Sequence, residues 1–147
     1  MKNTTIRTIL SVILYIPCLA QPGYEWVPVG SGLSDRVQSL CIFRDTLYAG
    51  GMFLTNGNGD SLHHLARWNG LDWEGVGGGT DGEIGYINKL AVYHDRLYVG
   101  GKFDKAGQTS VRNIAIWDGK KWSSPNGGIY YDIGIVEMFV FEDKLYV

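Results

Sequence analysis

Few residues of this chain have types and spacing that could support chemistry, and several of them fall in one polar segment. Asn56, Asn58 and Asp60 place three oxygen-bearing side chains at alternate positions. Alternating Asp and Asn residues can wrap a calcium ion, which takes about six to eight oxygen ligands. Ser61 stands where such a loop has glycine, and no Glu closes the loop. The sequence therefore favours a polar loop that could bind a ligand over a metal site.

Two adjacent histidines, His63 and His64, end the same segment. Neighbouring residues of an extended chain point to opposite sides, so one metal ion would not collect both. His94 falls in a turn that we expect at the other end of the predicted sheet. We therefore predict solvent-exposed loop histidines within a binding surface, and no zinc or copper site.

Three tyrosines outside any repeated pattern, Tyr86, Tyr130 and Tyr131, are candidates for stacking on a sugar or a peptide. The alternative is that they are ordinary exposed tyrosines.

No catalytic set is visible in the sequence. Asp81, Glu83 and Asp104 are acidic residues of predicted loops without an evident partner, and general acid–base catalysis needs a defined geometry. The glycine run 77–79 precedes no Lys-Ser/Thr pair, so it is not a phosphate-binding loop. We predict no catalytic residue, no cofactor and no metal.

An internal repeat must position these side chains. The run Leu-Tyr-Ala-Gly-Gly at 47–51 returns as Leu-Tyr-Val-Gly-Gly at 97–101 and begins again at 145–147. Each of the first two copies has an apolar run, a short turn and the run that ends in Gly-Gly. A polar loop, a second apolar run ending in Trp, and another Trp follow. A repeat of roughly 50 residues indicates one small unit copied in series.

The runs are short and rich in β-branched and aromatic residues, which predicts strands. Asn69-Gly70 and Asp118-Gly119 predict hairpin turns. The glycines that end the second strand predict a bulge or a close backbone approach. The recurring positions, which we interpret as structural, are Trp26, Tyr48, Gly50, Gly51, Trp68, Trp73, Tyr98, Gly100, Gly101, Trp117 and Trp122.

One four-stranded antiparallel unit cannot bury its own faces, but units arranged around an axis can. We therefore predict an all-β fold, a β-propeller with about two and a half blades. The blades span 37–77, 87–124 and 135–147. Because Trp26 to Gly30 matches Trp73 to Gly77, residues 24–30 are predicted to be the outer strand that closes a last blade.

The order of these motifs resembles the kelch and galactose-oxidase-like propeller repeats. The Ile-Ala-x-Trp-Asp-Gly-x-x-Trp pattern at 114–122 is also similar to repeats of large secreted bacterial surface proteins and of fungal cortical marker proteins. The resemblance implies a propeller that could serve a binding module or an enzyme. The copper ligands of galactose oxidase map onto no residues here.

Residues 1–20 have the layout of a secretory signal peptide: a basic start, a short apolar core and a small residue, Ala20. An uncleaved anchor, or a lipid anchor on Cys18, is the alternative. Residues 21–147 would then form the mature propeller part, without a transmembrane segment. In that part Cys41 is alone, so no internal disulfide can form, and we expect a small buried apolar residue.

The net charge of −2 and the lack of a basic cluster argue against a nucleic-acid partner. We expect the N-terminal part of a longer protein, with further blades from the same chain; assembly of several short chains is the alternative. The predicted function is a secreted or cell-surface, non-enzymatic module that binds a protein or glycan through its long loops. The alternatives are a galactose-oxidase-like or glycan-processing enzyme with its catalytic residues elsewhere, and a structural spacer.

Overall fold

The structure is a computed structural model that describes residues 27–81 and 85–147. Every regular element in these residues is a β-strand and every pairing is antiparallel, which confirms the predicted all-β class. The predicted signal peptide at 1–20, Trp26 and the first part of the predicted closing strand lie outside the described residues. No sheet in the described part of the chain closes on itself.

Two four-stranded sheets follow one another along the chain. The first sheet contains β1 (Val37–Phe43), β2 (Thr46–Gly51), β3 (Leu65–Trp68) and β4 (Trp73–Gly75), in that spatial order. The second sheet contains β5 (Tyr86–Tyr93), β6 (Arg96–Lys102), β9 (Ile114–Trp117) and β10 (Trp122–Ser123). These strands fall within the two complete repeats of the sequence.

Two smaller hairpins complete the set. The hairpin of β7 (Lys105–Ala106) and β8 (Thr109–Ser110) lies in the long loop of the second repeat. The C-terminal hairpin consists of β11 (Phe139–Phe141) and β12 (Lys144–Tyr146), which match the first two strands of the other repeats.

The tightest turns are not the ones that the sequence marked most strongly. The first two strands of each repeat are joined by two-residue turns at 44–45, 94–95 and 142–143, and all six residues have positive φ. The Asn-Gly and Asp-Gly turns form hairpins, as predicted, but each spans four residues, because Trp68 pairs with Trp73 and Trp117 with Trp122. In the first, the Asn69 side-chain oxygen accepts two backbone N–H groups and fills the turn.

A bulge lies opposite the glycines that end the second strand, and its extra residue, Gln38 or Asn88, belongs to the first strand and not to the second strand as predicted. The pairing of β1 with β2 shifts register between Val37 and Ser39, and that of β5 with β6 shifts between Ile87 and Lys89. A Cβ on Gly101 would lie 2.0 Å from the carbonyl oxygen of Tyr86, and a Cβ on Gly51 would lie 2.1 Å from that of Arg36. Glycine is required here because the two backbones touch.

The sheets pack face to face through the same repeat positions. Ile87 Cγ2 would lie 2.5 Å from a Cβ on Gly50, and Ile135 Cγ2 would lie 2.8 Å from one on Gly100. Phe43 and Tyr48 belong to the apolar core between the first and second sheets. Tyr98 packs against the core between the second sheet and the C-terminal residues. Each sheet therefore presents a glycine hollow that receives an isoleucine of the next repeat.

The tryptophans of each repeat form a pair that packs against the chain segment preceding that repeat. Trp68 and Trp73 have ring centroids 5.6 Å apart, and Trp117 and Trp122 have centroids 4.9 Å apart. The Nε1 group of Trp73 donates to the carbonyl of Val29, and that of Trp122 donates to the carbonyl of Gly77. Val29 and Gly30 thus contact the tryptophans of the first sheet, and Gly77 contacts those of the second.

Candidate functional site

A cleft of about 440 Å³ opens on the long-loop side of the second repeat. Two of the tyrosines singled out in the sequence, Tyr130 and Tyr131, line it. Its other lining residues are mostly polar or charged: Asp81, Gly85, Lys102, Phe103, Asp104, Arg112, Asn113 and Asp132. This surface, called the tyrosine cleft below, brings together segments that are distant in sequence.

Asn113 fixes the wall of the cleft that carries the tyrosines. Its side chain is buried, and its Nδ2 group donates to the carbonyls of Ile129 and Tyr131, at 3.0 and 2.7 Å. Its backbone holds φ at 61°, a conformation that Asn tolerates better than most residues. The segment that presents Tyr130 and Tyr131 is therefore held by hydrogen bonds on both sides of Tyr130.

Tyr130 and Tyr131 are both largely exposed. The Arg112 guanidinium carbon lies 4.1 Å from the centroid of the Tyr130 ring, a cation–π geometry. Asp104 lies 3.8 Å from Arg112 Nε. The arrangement offers an aromatic face beside hydrogen-bond donors and acceptors.

Asp81 has partners that the sequence did not reveal. Its Oδ1 accepts the backbone N–H groups of Asp104 and Lys105, both at 2.8 Å. Before the first repeat, Ser34 Oγ likewise accepts the backbone N–H groups of Leu54 and Thr55. These side chains therefore join the segment between repeats to the long loop of the following repeat. Glu83 lies outside the described residues.

Tyr86, the third candidate tyrosine, begins β5, and its hydroxyl donates to the carbonyl of Ile133 at 3.1 Å. It therefore holds the segment between the second repeat and the C-terminal hairpin.

The predicted binding loop of the first repeat is closed on itself. The Asn56 side chain is buried: its Oδ1 accepts the backbone N–H groups of Asn58 and Asp60, and its Nδ2 donates to Asp60 and to the Trp73 carbonyl. Asn58 Nδ2 donates to Asp72, whose Oδ1 also accepts two bonds from Ser31. The side chains of Asn56, Asn58 and Asp60 therefore stabilise the loop and its contact with the N-terminal segment.

The prediction of solvent-exposed loop histidines is wrong for His64, which is buried, whereas His63 is exposed. Both have positive φ, and the His64 carbonyl accepts the backbone N–H of Gly51. His94 lies in the turn after β5 and contacts Asp143 at 2.8 Å. Within residues 27–81 and 85–147, no three His, Cys, Asp or Glu side chains are grouped so as to hold a metal ion.

The short-turn side carries a repeated contact between neighbouring repeats. Arg44 donates to both carboxylate oxygens of Asp95 and to the Asp118 carbonyl. One repeat later, His94 and Asp143 occupy the same positions. The Arg44 guanidinium holds the pKa of Asp95 below its usual value.

Cys41 is partly buried against the core between the first two sheets. Burial raises the pKa of its thiol to about 11, so the thiol stays protonated at neutral pH.

Sequence reasoning missed four polar or charged residues of the cleft: Lys102, Arg112, Asn113 and Asp132. The alignment of the two repeats could have pointed to Asn113, because it takes the place that His64 holds in the first repeat. Both residues have positive φ.

Comparison with protein-family models, curated proteins and solved structures finds no match. In the described parts of the chain, no helix has the length and apolar character needed to cross a bilayer.

Proposed function

We propose that this chain forms part of a secreted or cell-surface, non-enzymatic β-propeller module that binds glycans at the tyrosine cleft. The observation that carries the proposal is the pair of exposed tyrosines, Tyr130 and Tyr131, held at the rim of a polar cleft by the buried Asn113. Sugar rings have apolar faces that stack on aromatic rings and hydroxyl groups that bond to carboxylates and guanidinium groups.

The propeller part of the proposal is supported by the way in which the repeats pack. Consecutive repeats meet through equivalent Gly–Ile contacts and equivalent turn contacts, and the Trp68 and Trp117 rings lie against equivalent glycines, Gly30 and Gly77. A rotation that recurs from one sheet to the next is the relation that a radial array requires. Export is supported by the signal-peptide layout of residues 1–20.

A glycan array probed with the fluorescently labelled chain tests the binding function. We expect Tyr130→Ala and Tyr131→Ala each to weaken binding to the selected glycan by roughly fivefold, because each removes an aromatic contact of order 1 kcal/mol. Tyr146→Ala, at an exposed tyrosine of the C-terminal hairpin, is the matched control and should bind as the unmodified chain does.

Equal signal from all glycans would contradict the proposal, as would binding that both cleft variants leave intact. Release of reducing sugar from the bound glycan would instead favour the enzyme alternative. Selective capture of a protein without glycans would favour a protein ligand.

A further inference from the structure

The exposed face of β1 differs sharply from the same face in the later repeats. Leu40 is 58% exposed, whereas Leu90 and Met138, at the same repeat position, are 4% and 1% exposed. Val37 is 42% exposed, whereas the equivalent Ile87 and Ile135 are 0% and 5% exposed. The sequence thus places large apolar residues at two positions that are buried wherever a repeat precedes them.

What covers these positions elsewhere is visible in the structure. Both Ile87 and Leu90 lie against Gly50 of β2, at 2.5 and 3.3 Å from a Cβ built there. Ile135 and Met138 lie against Gly100 of β6 in the same way. In each case the second strand of the preceding repeat provides the cover, because its glycine leaves the necessary space.

The N-terminal segment lies where the end of a preceding repeat would lie. A Cβ on Gly30 would lie 2.8 Å from the Trp68 ring, and one on Gly77 would lie 2.6 Å from the Trp117 ring. Gly30 therefore contacts the first tryptophan of the first sheet as Gly77 contacts the first tryptophan of the second sheet.

We propose that Val37 and Leu40 form a docking surface for one further repeat, whose second strand carries a glycine at the position of Gly50 and whose outer strand is residues 27–30. The occupant is a four-stranded unit of the kind seen twice in this chain, because the surface has the residue types and spacing that the other two interfaces share. This inference rests on the radial arrangement proposed above and not on the ligand of the tyrosine cleft.

A tandem duplication tests it. A chain reading 1–76 followed by 30–147 preserves the register, since Val76 matches Val29, and places Gly50 of the upstream copy before Leu40 of the downstream copy. Leu40→Cys is introduced in either copy, with Cys18 and Cys41 replaced by alanine, and its reaction with a maleimide is timed. We expect the downstream cysteine to react at least about tenfold more slowly than the upstream one.

Ile42→Cys is the matched control. It lies on the same strand, but Val92 and Val140, at its repeat position, stay 37% and 45% exposed despite a preceding repeat. It should therefore remain reactive in both copies. Leu90→Cys should be protected in every version and reports that the sheets have formed.

Equal reactivity of the two Leu40→Cys positions, with Leu90→Cys protected, would overturn the proposal. Loss of protection at Leu90→Cys would overturn the packing on which it rests. Protection of Leu40→Cys in the unduplicated chain that disappears on dilution would assign the face to a second copy instead. None of these outcomes depends on glycan binding, so failure of the docking surface and failure of the proposed ligand are distinguishable.

Discussion

At the scale of single residues, Asn113 determines how the tyrosines of the cleft are presented. It combines a positive φ with two side-chain hydrogen bonds to the carbonyls of Ile129 and Tyr131. No other side chain can both adopt that backbone conformation at low cost and donate twice from the same amide nitrogen as readily.

Asn113→Ala should therefore lower the free energy of unfolding by about 2–4 kcal/mol, since two carbonyls lose their donor and alanine is strained at positive φ. Asn113→Gly removes the same bonds without the strain and should cost about 1 kcal/mol less. Urea denaturation of both variants measures the difference. Equal stability of Asn113→Ala and the unmodified chain would show that the segment is held in another way.

At the scale of elements, the sheets depend on glycine hollows. A Cβ on Gly100 would lie 2.8 Å from Ile135 Cγ2 and 3.0 Å from Met138 Cε. The Met138 end is flexible, but Ile135 is buried and β-branched, so it has little freedom to move.

Gly100→Ala should destabilise the protein by about 1–3 kcal/mol through this overlap. Ile135→Ala removes the opposing methyl group, so the double variant should be more stable than the sum of the two single effects predicts. Thermal or urea unfolding of the four proteins gives the coupling free energy. Additive effects would mean that the two residues do not touch.

The elements also show what the sequence could predict. The strands, the paired tryptophans and the bulge glycines repeat in the sequence, so their roles could be inferred from register. Arg112 and Asn113 could not be assigned because their partners, Tyr130 and the carbonyls beside it, come near only when the segment after the second repeat folds back onto the long loop of that repeat. Asn56 was misleading for the same reason: an isolated polar run gives no sign that its side chain is buried beneath the loop.

At the scale of the whole molecule, carboxylates with lowered pKa values should make stability depend on pH. Hydrogen bonds from the Ser31 backbone lower the pKa of Asp72, the Arg44 side chain lowers that of Asp95, and the Lys89 side chain lowers that of Glu137. A lowered folded-state pKa means that the unfolded chain binds protons first as the pH falls.

The stabilisation is therefore complete above the usual carboxyl pKa of about 4 and is lost as the pH falls through the folded-state values. We expect the Tm to be constant near pH 6 and to decline as the pH falls below about 5. In Arg44→Ala the decline should be shallower because Asp95 loses its partner. A Tm that does not change over this interval would contradict the assigned contacts.

The central claim is that successive repeats pack face to face, with a glycine of one repeat against an isoleucine of the next. Methyl-detected NOE spectroscopy of the labelled chain tests it most directly. We expect cross-peaks from the Gly50 Hα protons to the Ile87 methyl groups and from the Gly100 Hα protons to those of Ile135, because the Cβ positions lie within 3 Å of those methyl carbons. Cross-peaks within each sheet, with none between Gly50 and Ile87 or between Gly100 and Ile135, would contradict the account.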